Sequence, residues 1–428
     1  MKVRAGLLVT AAMFAMAADL PSRPGIDAPE RARAGPSAVG VRTVRLVHRG
    51  QVDPIASKAA DRLVLKDRPL RLVIWYPAVR GGRPAPYSAS LPSERPGAST
   101  RFHIASMAVP DAPPQGSRLP VVIVSHGYSN DPVMMSWLTE NLASKGYVVV
   151  AIAHGDPPIT DPTRFAEPLL NRPLDVAFVA HAIRKGLLGG LVDPARIALV
   201  GYSIGGYGVL TAAGARLDAK GAAGARLPPG LLDRYAPGGQ EAGAMAAGDI
   251  KAAVAIAPAG GAPIDLWGAD GLAHVHAPLL MIAGDADRTV GFEKGPAALF
   301  AAATGVSREM LVFRGGGHSV GLDPAPPEMR SRLWDLDWFE DPVWRKDRMN
   351  AISLHFITAF LDWHLKGDAA SARYFHVATE RSDDAAWKGP ETPYDAVSEG
   401  GDNPAWKGFE RNHQNGLVLR HLDATTRE

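Results

Sequence analysis

An α/β fold, built on a mostly parallel central sheet with helices on both faces, is expected from three features of the 428-residue sequence. Short apolar runs alternate with longer stretches of helical periodicity through most of the chain. The runs are continuous instead of alternating polar with apolar, as in strands that are buried on both sides. A composition of 46% hydrophobic and 21% charged residues can bury such a core and excludes wholesale disorder.

The elements follow in order. Lys2 and Arg4 precede an apolar run over 5–17 that ends in Ala15-Met16-Ala17, the pattern of a secretory signal peptide. The run is shorter than the roughly 20 residues needed to cross a bilayer. Residues 18–40, rich in Pro, Arg and Ala, read as a flexible lead-in to an α/β domain over 41–370. Strands are expected at 41–47 and 70–76, ended by Gly50 and Pro77, and the proline-broken segment 84–114 reads as a long surface connection. Further strands at 121–124, 147–152, 197–200, 252–257, 279–283 and 310–313 alternate with helices near 133–145, 173–185, 204–215 and 296–303. The Gly-, Ala- and Pro-rich stretch 219–248, anchored by Leu227, Leu231, Leu232 and Tyr235, is either a small cap over the sheet or a tolerated loop insertion. Ile352, Phe356, Ala359, Phe360 and Trp363 recur at helical spacing, so a last amphipathic helix is expected before Lys366-Gly367. The C-terminal extension, 371–428, carries Ala-Trp-Lys-Gly twice, at 386–389 and 405–408, which reads as tryptophan anchoring on the domain.

Charge and cysteine content exclude several functions. A net charge of +2, falling to about zero once Lys2 and Arg4 are removed, provides no field for nucleic acid or an anionic membrane. With no cysteine there is no disulfide framework, thiol nucleophile or thiolate metal site. Covalent chemistry would have to use Ser, Thr, Lys, Asp or His.

The strongest motif is Gly201-Tyr202-Ser203-Ile204-Gly205-Gly206, directly after an expected strand and before an expected helix. A serine whose hydroxyl must stand clear of a sheet needs a very tight strand-to-helix turn, with small residues two before and two after it. Ser125-His126-Gly127-Tyr128 closes an earlier strand. Acyl transfer needs amide donors for the developing oxyanion, and the amides of Tyr128 and Ile204 are the candidates, with His126 shaping the loop. Two later strands end in Gly284-Asp285-Ala286-Asp287 and in Gly315-Gly316-Gly317-His318. Ser203, Asp287 and His318 thus follow the order nucleophile, acid, base, each just past a strand's carboxyl end. Asp287 is preferred to Asp285 because the acid should stand out in the loop. His154, also at a strand end, and Trp334 and Trp338, beyond the His318 loop, are candidates to line a substrate pocket. His274 and His276 could pair on a metal in a strand, but two ligands without a third favour an ordinary role. Asp175 and Arg184 read as ordinary helix residues.

On these motifs, together with Trp75-Tyr76-Pro77, the segment from Arg68 to Gly367 resembles the α/β-hydrolase superfamily. Within it, the resemblance is to the esterases grouped with dienelactone hydrolases and platelet-activating-factor acetylhydrolases. It implies a serine carboxylic-ester hydrolase that works through an acyl-enzyme, with Ser203, Asp287 and His318 as triad, Tyr128 and Ile204 as oxyanion donors, no cofactor and no metal. True dienelactone hydrolases use a cysteine nucleophile, which counts against the lactone as substrate here. The expected partner is a small-molecule or polymeric ester, with neither nucleic acid nor stable membrane insertion after signal removal. The expected location is periplasmic or extracellular. Lipid, aryl, xenobiotic and polyester esters all stay open, as does oligomeric state. A prolyl-oligopeptidase-like peptidase shares the triad order, but the span before residue 121 is too short for that family's propeller. A catalytically silent binding protein would normally have lost a triad member.

Overall fold

The computed structural model describes residues 24–95, 97–385, 405–410 and 413–425; the expected signal peptide and the first Ala-Trp-Lys-Gly copy lie outside them. The chain begins with two long strands, β1 (Ala38–Val52) and β2 (Leu65–Ala78), joined through helix α1 (Pro54–Ala60). There follow β3 (Tyr87–Pro92), β4 (Ser99–Ile104), β5 (Ala108–Pro110), β6 (Leu119–Ser125), α2 (Ser136–Ser144), β7 (Val148–Ala153), α3 (Ala166–Arg184), β8 (Val192–Tyr202), α4 (Ile204–Ala212) and the short α5 (Ala222–Ala225). The last part holds β9 (Ala252–Ile256), β10 (Leu279–Gly284), α6 (Ala298–Ala302), β11 (Arg308–Phe313), α7 (Leu333–Leu336), α8 (Lys346–Lys366) and β12 (Leu417–Leu422).

Among the described residues, ten strands form one sheet in the order β12-β11-β10-β9-β8-β6-β7-β2-β1-β5, with β3 and β4 as a separate hairpin. The strands from β11 to β7 are parallel, and β2 and β12 run against their neighbours. Successive residues of β6 show why these runs are apolar throughout: Val121 and Ile123 enter the core under α3, α4 and α6, and Val122 and Val124 the core under α2 and α8. The helices of βαβ units return antiparallel to their strands, so every loop leaving a parallel strand emerges along one edge of the sheet.

Helix α3 begins seven residues before the expected Pro173, which lies in its interior. Proline has no N–H to give to the carbonyl four residues back, Leu169. The Tyr207 hydroxyl on α4 donates to that carbonyl instead, at 2.7 Å. A helix that looks broken in one dimension is completed by its neighbour.

Three other expectations are corrected, and the packing expected of the C-terminal extension is extended. Segment 84–114 is not a bare connection, since it contributes the β3–β4 hairpin and β5, which pairs with β1. Of the lead-in, residues 24–37 pack on the domain: Ala28 and Ala32 are buried, and the Arg31 amide donates to His355 Nδ1 of α8 at 3.2 Å. The C-terminal extension does more than pack on the domain, because β12 pairs in register with β11 from Arg308↔Leu422 to Phe313↔Leu417 and covers that edge. The 219–248 insertion forms a side layer in place of a cap. Its four apolar anchors join the core under α3 and α4. Its return is tied where those helices end, the Ala247 amide donating to Ala212 (2.8 Å) and Arg184 to the carbonyls of Ala247 and Asp249. That is the sheet edge opposite Ser203, and Arg184 is a tether in place of an ordinary helix residue.

Candidate active site

Between β8 and α4 the chain reverses on Ser203, whose φ of 56° and ψ of −120° are costly for a residue with a side chain. Its amide donates to Ile256 (2.9 Å), and its carbonyl accepts from Tyr207 (3.2 Å) and Ala259 (3.0 Å), so backbone bonds hold the strained conformation. The flanking glycines are required by space. A Cβ on Gly201 would stand 2.2 Å from the Gly205 carbonyl oxygen, and one on Gly205 would stand 2.0 Å from that of Ser125.

His318 lies in the turn after β11 with Nε2 3.0 Å from Ser203 Oγ, and its Nδ1 is 2.6 Å from Asp287 Oδ2. Asp287 Oδ1 accepts from the amides of Thr289 and Val290 at 2.8 and 3.1 Å. Burial would raise the Asp287 carboxyl, but the hydrogen bond and charge of His318 and the two amides outweigh it and hold it below its ordinary value. Asp285, the competitor, accepts from the Gly315 amide instead. The imidazole's own loop is clamped on three sides: Tyr202 donates to the His318 carbonyl (3.0 Å), the Gly317 amide to Asp341 (2.6 Å), and buried Lys346 to the Ser319 carbonyl. Burial pulls the Lys346 ammonium down to about 7 against the nearby charges of Asp323, Glu340 and Asp341. Lys346 and Asp341 carried no signal in the sequence, since each meets its partner only through the fold.

Ile204 is the first residue of α4, where helical geometry leaves amides unpaired and partly positive. Tyr128 follows Gly127, at which a Cβ would lie 2.3 Å from Asn130 Oδ1 and 2.8 Å from the Tyr202 ring. An open cavity of about 400 Å³ is walled by Asp285, Arg288, Val290 and Pro263, residues flanking Asp287 in the loop after β10 and facing it from the loop after β9. A larger one, about 610 Å³, lies away from Ser203 between α2 and α8.

His154 is not a pocket residue. It is 1% exposed and belongs to a second Ser-His-Asp chain: Ser125 Oγ is 2.9 Å from His154 Nε2, and His154 Nδ1 is 2.8 Å from Asp175 Oδ2. Asp175, read from the sequence as ordinary, is fully buried and takes two bonds from Arg68, at 2.9 and 2.8 Å. Arg172, also fully buried, donates to Ser125 Oγ at 3.1 Å. The available signal was two ionic residues, three apart, within the apolar positions of α3. The candidate pocket tryptophans are engaged elsewhere: Trp334 Nε1 donates to the Pro92 carbonyl at 3.1 Å, and Trp338 is half-buried against the α2–α8 core. His274 ends a short 3-10 turn instead of lying in a strand, and His276 Nε2 lies 3.2 Å from the Gly248 carbonyl oxygen.

Residues 110–229 match the family model described as PET hydrolase-like, a span that includes Tyr128, Ser203 and Ile204 but neither Asp287 nor His318. Over 112 residues, 26% of this chain, the sequence is 32% identical to Cutinase est2 of Thermobifida alba, covering 35% of that protein. It is likewise 32% identical to Cutinase 2 of Thermobifida cellulosilytica, covering 40% of it. The match thus spans little more than a third of the length of these curated relatives. A solved ferulic acid esterase from Streptomyces cinnamoneus is similar in fold, with a TM-score of 0.50 and 20% identity over 77% of this chain and 90% of that one. The doubly covered sheet and these likenesses identify an α/β-hydrolase fold.

Proposed function

We propose that this α/β-hydrolase is an exported serine hydrolase of carboxylic esters. The observation that carries the reading is the unbroken path from Asp287 through His318 to a hydroxyl held on a strained turn. Ser203 Oγ attacks the ester carbonyl while His318 Nε2 takes its proton, and Asp287 keeps the other ring proton on Nδ1. The amides of Tyr128 and Ile204 receive the oxyanion. Collapse expels the alcohol, protonated by His318, and leaves an acyl group on Ser203. Water, deprotonated by the same imidazole, then releases the acid and restores the hydroxyl.

The PET hydrolase-like match and the cutinase relatives support polyesters as a substrate class beside small esters. Export rests on the pattern of residues 1–17, and a mature N-terminus near residue 18 in protein recovered outside the cytoplasm is its test. The catalytic reading is tested with a fluorophosphonate probe, expected to add once, on Ser203, and not to the Ser203→Ala protein. Para-nitrophenyl esters of increasing acyl length, followed by polyester films, then rank the substrates. Labelling elsewhere, or unchanged turnover in Ser203→Ala, would overturn the assignment.

A further inference from the structure

The buried Ser125–His154–Asp175 chain copies the bonding of a catalytic triad at a place where no substrate can reach. Ser125 and Asp175 have no exposed surface, and the Ser125 hydroxyl oxygen already accepts from Arg172. Its use must lie in what it supports. Arg172 Nη1 donates to the His126 carbonyl at 2.5 Å, and Nη2 donates to the Gly127 carbonyl at 2.9 Å. The same guanidinium is paired with Asp156, whose Oδ2 also accepts from the Ser129 amide at 3.3 Å. Ser129 has a φ of 56°, an uncommon conformation for a non-glycine residue, and its hydroxyl is tied to the Pro157 carbonyl at 2.9 Å.

The consequence follows from peptide geometry. The Gly127 carbonyl and the Tyr128 N–H belong to one planar trans unit and point in opposite directions. A donor fixed on the carbonyl oxygen therefore aims the N–H away from itself. Arg172 is fully buried and holds the Gly127 carbonyl, so the Tyr128 N–H points away from that buried guanidinium. A cation on the oxygen also polarises the unit and makes the N–H a stronger donor. We infer that Arg172, braced by Asp156 and by the Ser125–His154–Asp175–Arg68 network, is a positioning residue that aims and strengthens the Tyr128 amide as an oxyanion donor. The inference rests on the reading of Ser203 as nucleophile. It gives the second chain a task in the same reaction: Arg68 fixes Asp175, Asp175 sets the His154 tautomer, and His154 Nε2 accepts a hydrogen bond from the Ser125 hydroxyl. The Ser125 lone pairs are thereby left facing Arg172.

A para-nitrophenyl ester and its thiono counterpart, with C=S in place of C=O, test this, because sulfur is a poor hydrogen-bond acceptor and gains little from an amide donor. Arg172→Lys is expected to lower kcat on the oxygen ester by about 10- to 100-fold with KM within about threefold, as for weakening one oxyanion donor. The thiono ester should suffer far less, so the oxygen-to-sulfur preference falls by about tenfold. Asp156→Asn, which releases the guanidinium, should move the preference the same way by a smaller factor, and serves if Arg172→Lys does not fold. An equal loss on both esters, or an unchanged kcat, overturns the inference. Ser203→Ala run alongside separates the two levels: if it abolishes turnover while the preference stays at its starting value in the other variants, only the positioning role fails. If Ser203→Ala still turns over both esters, the reading beneath it fails.

Discussion

Two Ser-His-Asp chains lie in this molecule, and their hydrogen-bond lengths hardly differ: 3.0 and 2.6 Å through Ser203, His318 and Asp287, against 2.9 and 2.8 Å through Ser125, His154 and Asp175. Three other properties separate them. Ser203 sits on a strained turn at the strand ends and retains some exposure, whereas Ser125 closes β6 and retains none. The Ser125 oxygen accepts from Arg172, which draws electron density from it, while the Ser203 oxygen lies 3.0 Å from His318 Nε2. The acids differ too. Asp287 is held below its ordinary value, whereas burial lifts Asp175 above it despite Arg68. A row of three side chains becomes a candidate for catalysis through access and a free lone pair on oxygen; the hydrogen bonds alone produce structure equally well.

The sharpest break between the chains is expected at the serines. Ser203→Ala should cost at least about 10⁴-fold in kcat/KM with little change in unfolding midpoint. Ser125→Ala should keep fluorophosphonate labelling at Ser203 but lose about 1–3 kcal/mol of stability, because the Arg172 N–H and His154 Nε2 are left buried without a partner. Labelling kinetics and denaturant unfolding read both. The acids should separate next. Asp287→Asn is expected to lower kcat by about 10³- to 10⁴-fold through the wrong imidazole tautomer. Asp175→Asn should cost about 3–5 kcal/mol of stability, since it strands the Arg68 charge, with only a secondary loss of kcat through the loosened brace on Arg172.

Acid titration of stability sharpens the contrast further. The Asp287 carboxyl is lower in the folded state than its ordinary value, so its ionised form adds stability at neutral pH. That contribution is lost as pH falls below about 4 and through the lowered value. Asp175 is shifted upward, so its contribution has the opposite sign and fades as pH rises. Unfolding midpoints of wild type and Asp287→Asn should therefore converge toward low pH; a constant gap from pH 3 to 7 would contradict the assignment. The smallest effect is expected at Tyr207, whose hydroxyl joins α3, the carrier of Arg172 and Asp175, to α4, which begins after Ser203. Tyr207→Phe should cost about 1 kcal/mol by leaving the Leu169 carbonyl unpaired opposite Pro173. Any activity change should appear in kcat before KM.

The parallel sheet and its double helical cover were legible in the sequence because burial on both faces leaves a local mark, a continuous apolar run. The turn at Ser203 was legible for a similar reason: Gly201 is required by the Gly205 carbonyl, four residues away. Other features depend on residues distant in sequence. Pro173 reads as a helix start until Tyr207 supplies the missing donor. The insertion reads equally as cap or loop until Arg184 and Ala212 tie it to the far edge, and β12 gains its strand conformation from pairing with β11. The second chain is the clearest case. Arg68, Ser125, His154 and the pair Arg172 and Asp175 come from three separate elements and the loop after a fourth, and beyond the spacing of that pair on α3 no local pattern ties one to the next. Apolar periodicity and tight turns are imposed by nearest neighbours along the chain and so are written in it. Charge pairing in a sealed interior is decided only when packing removes water and leaves each ionic group the partners the fold has put beside it.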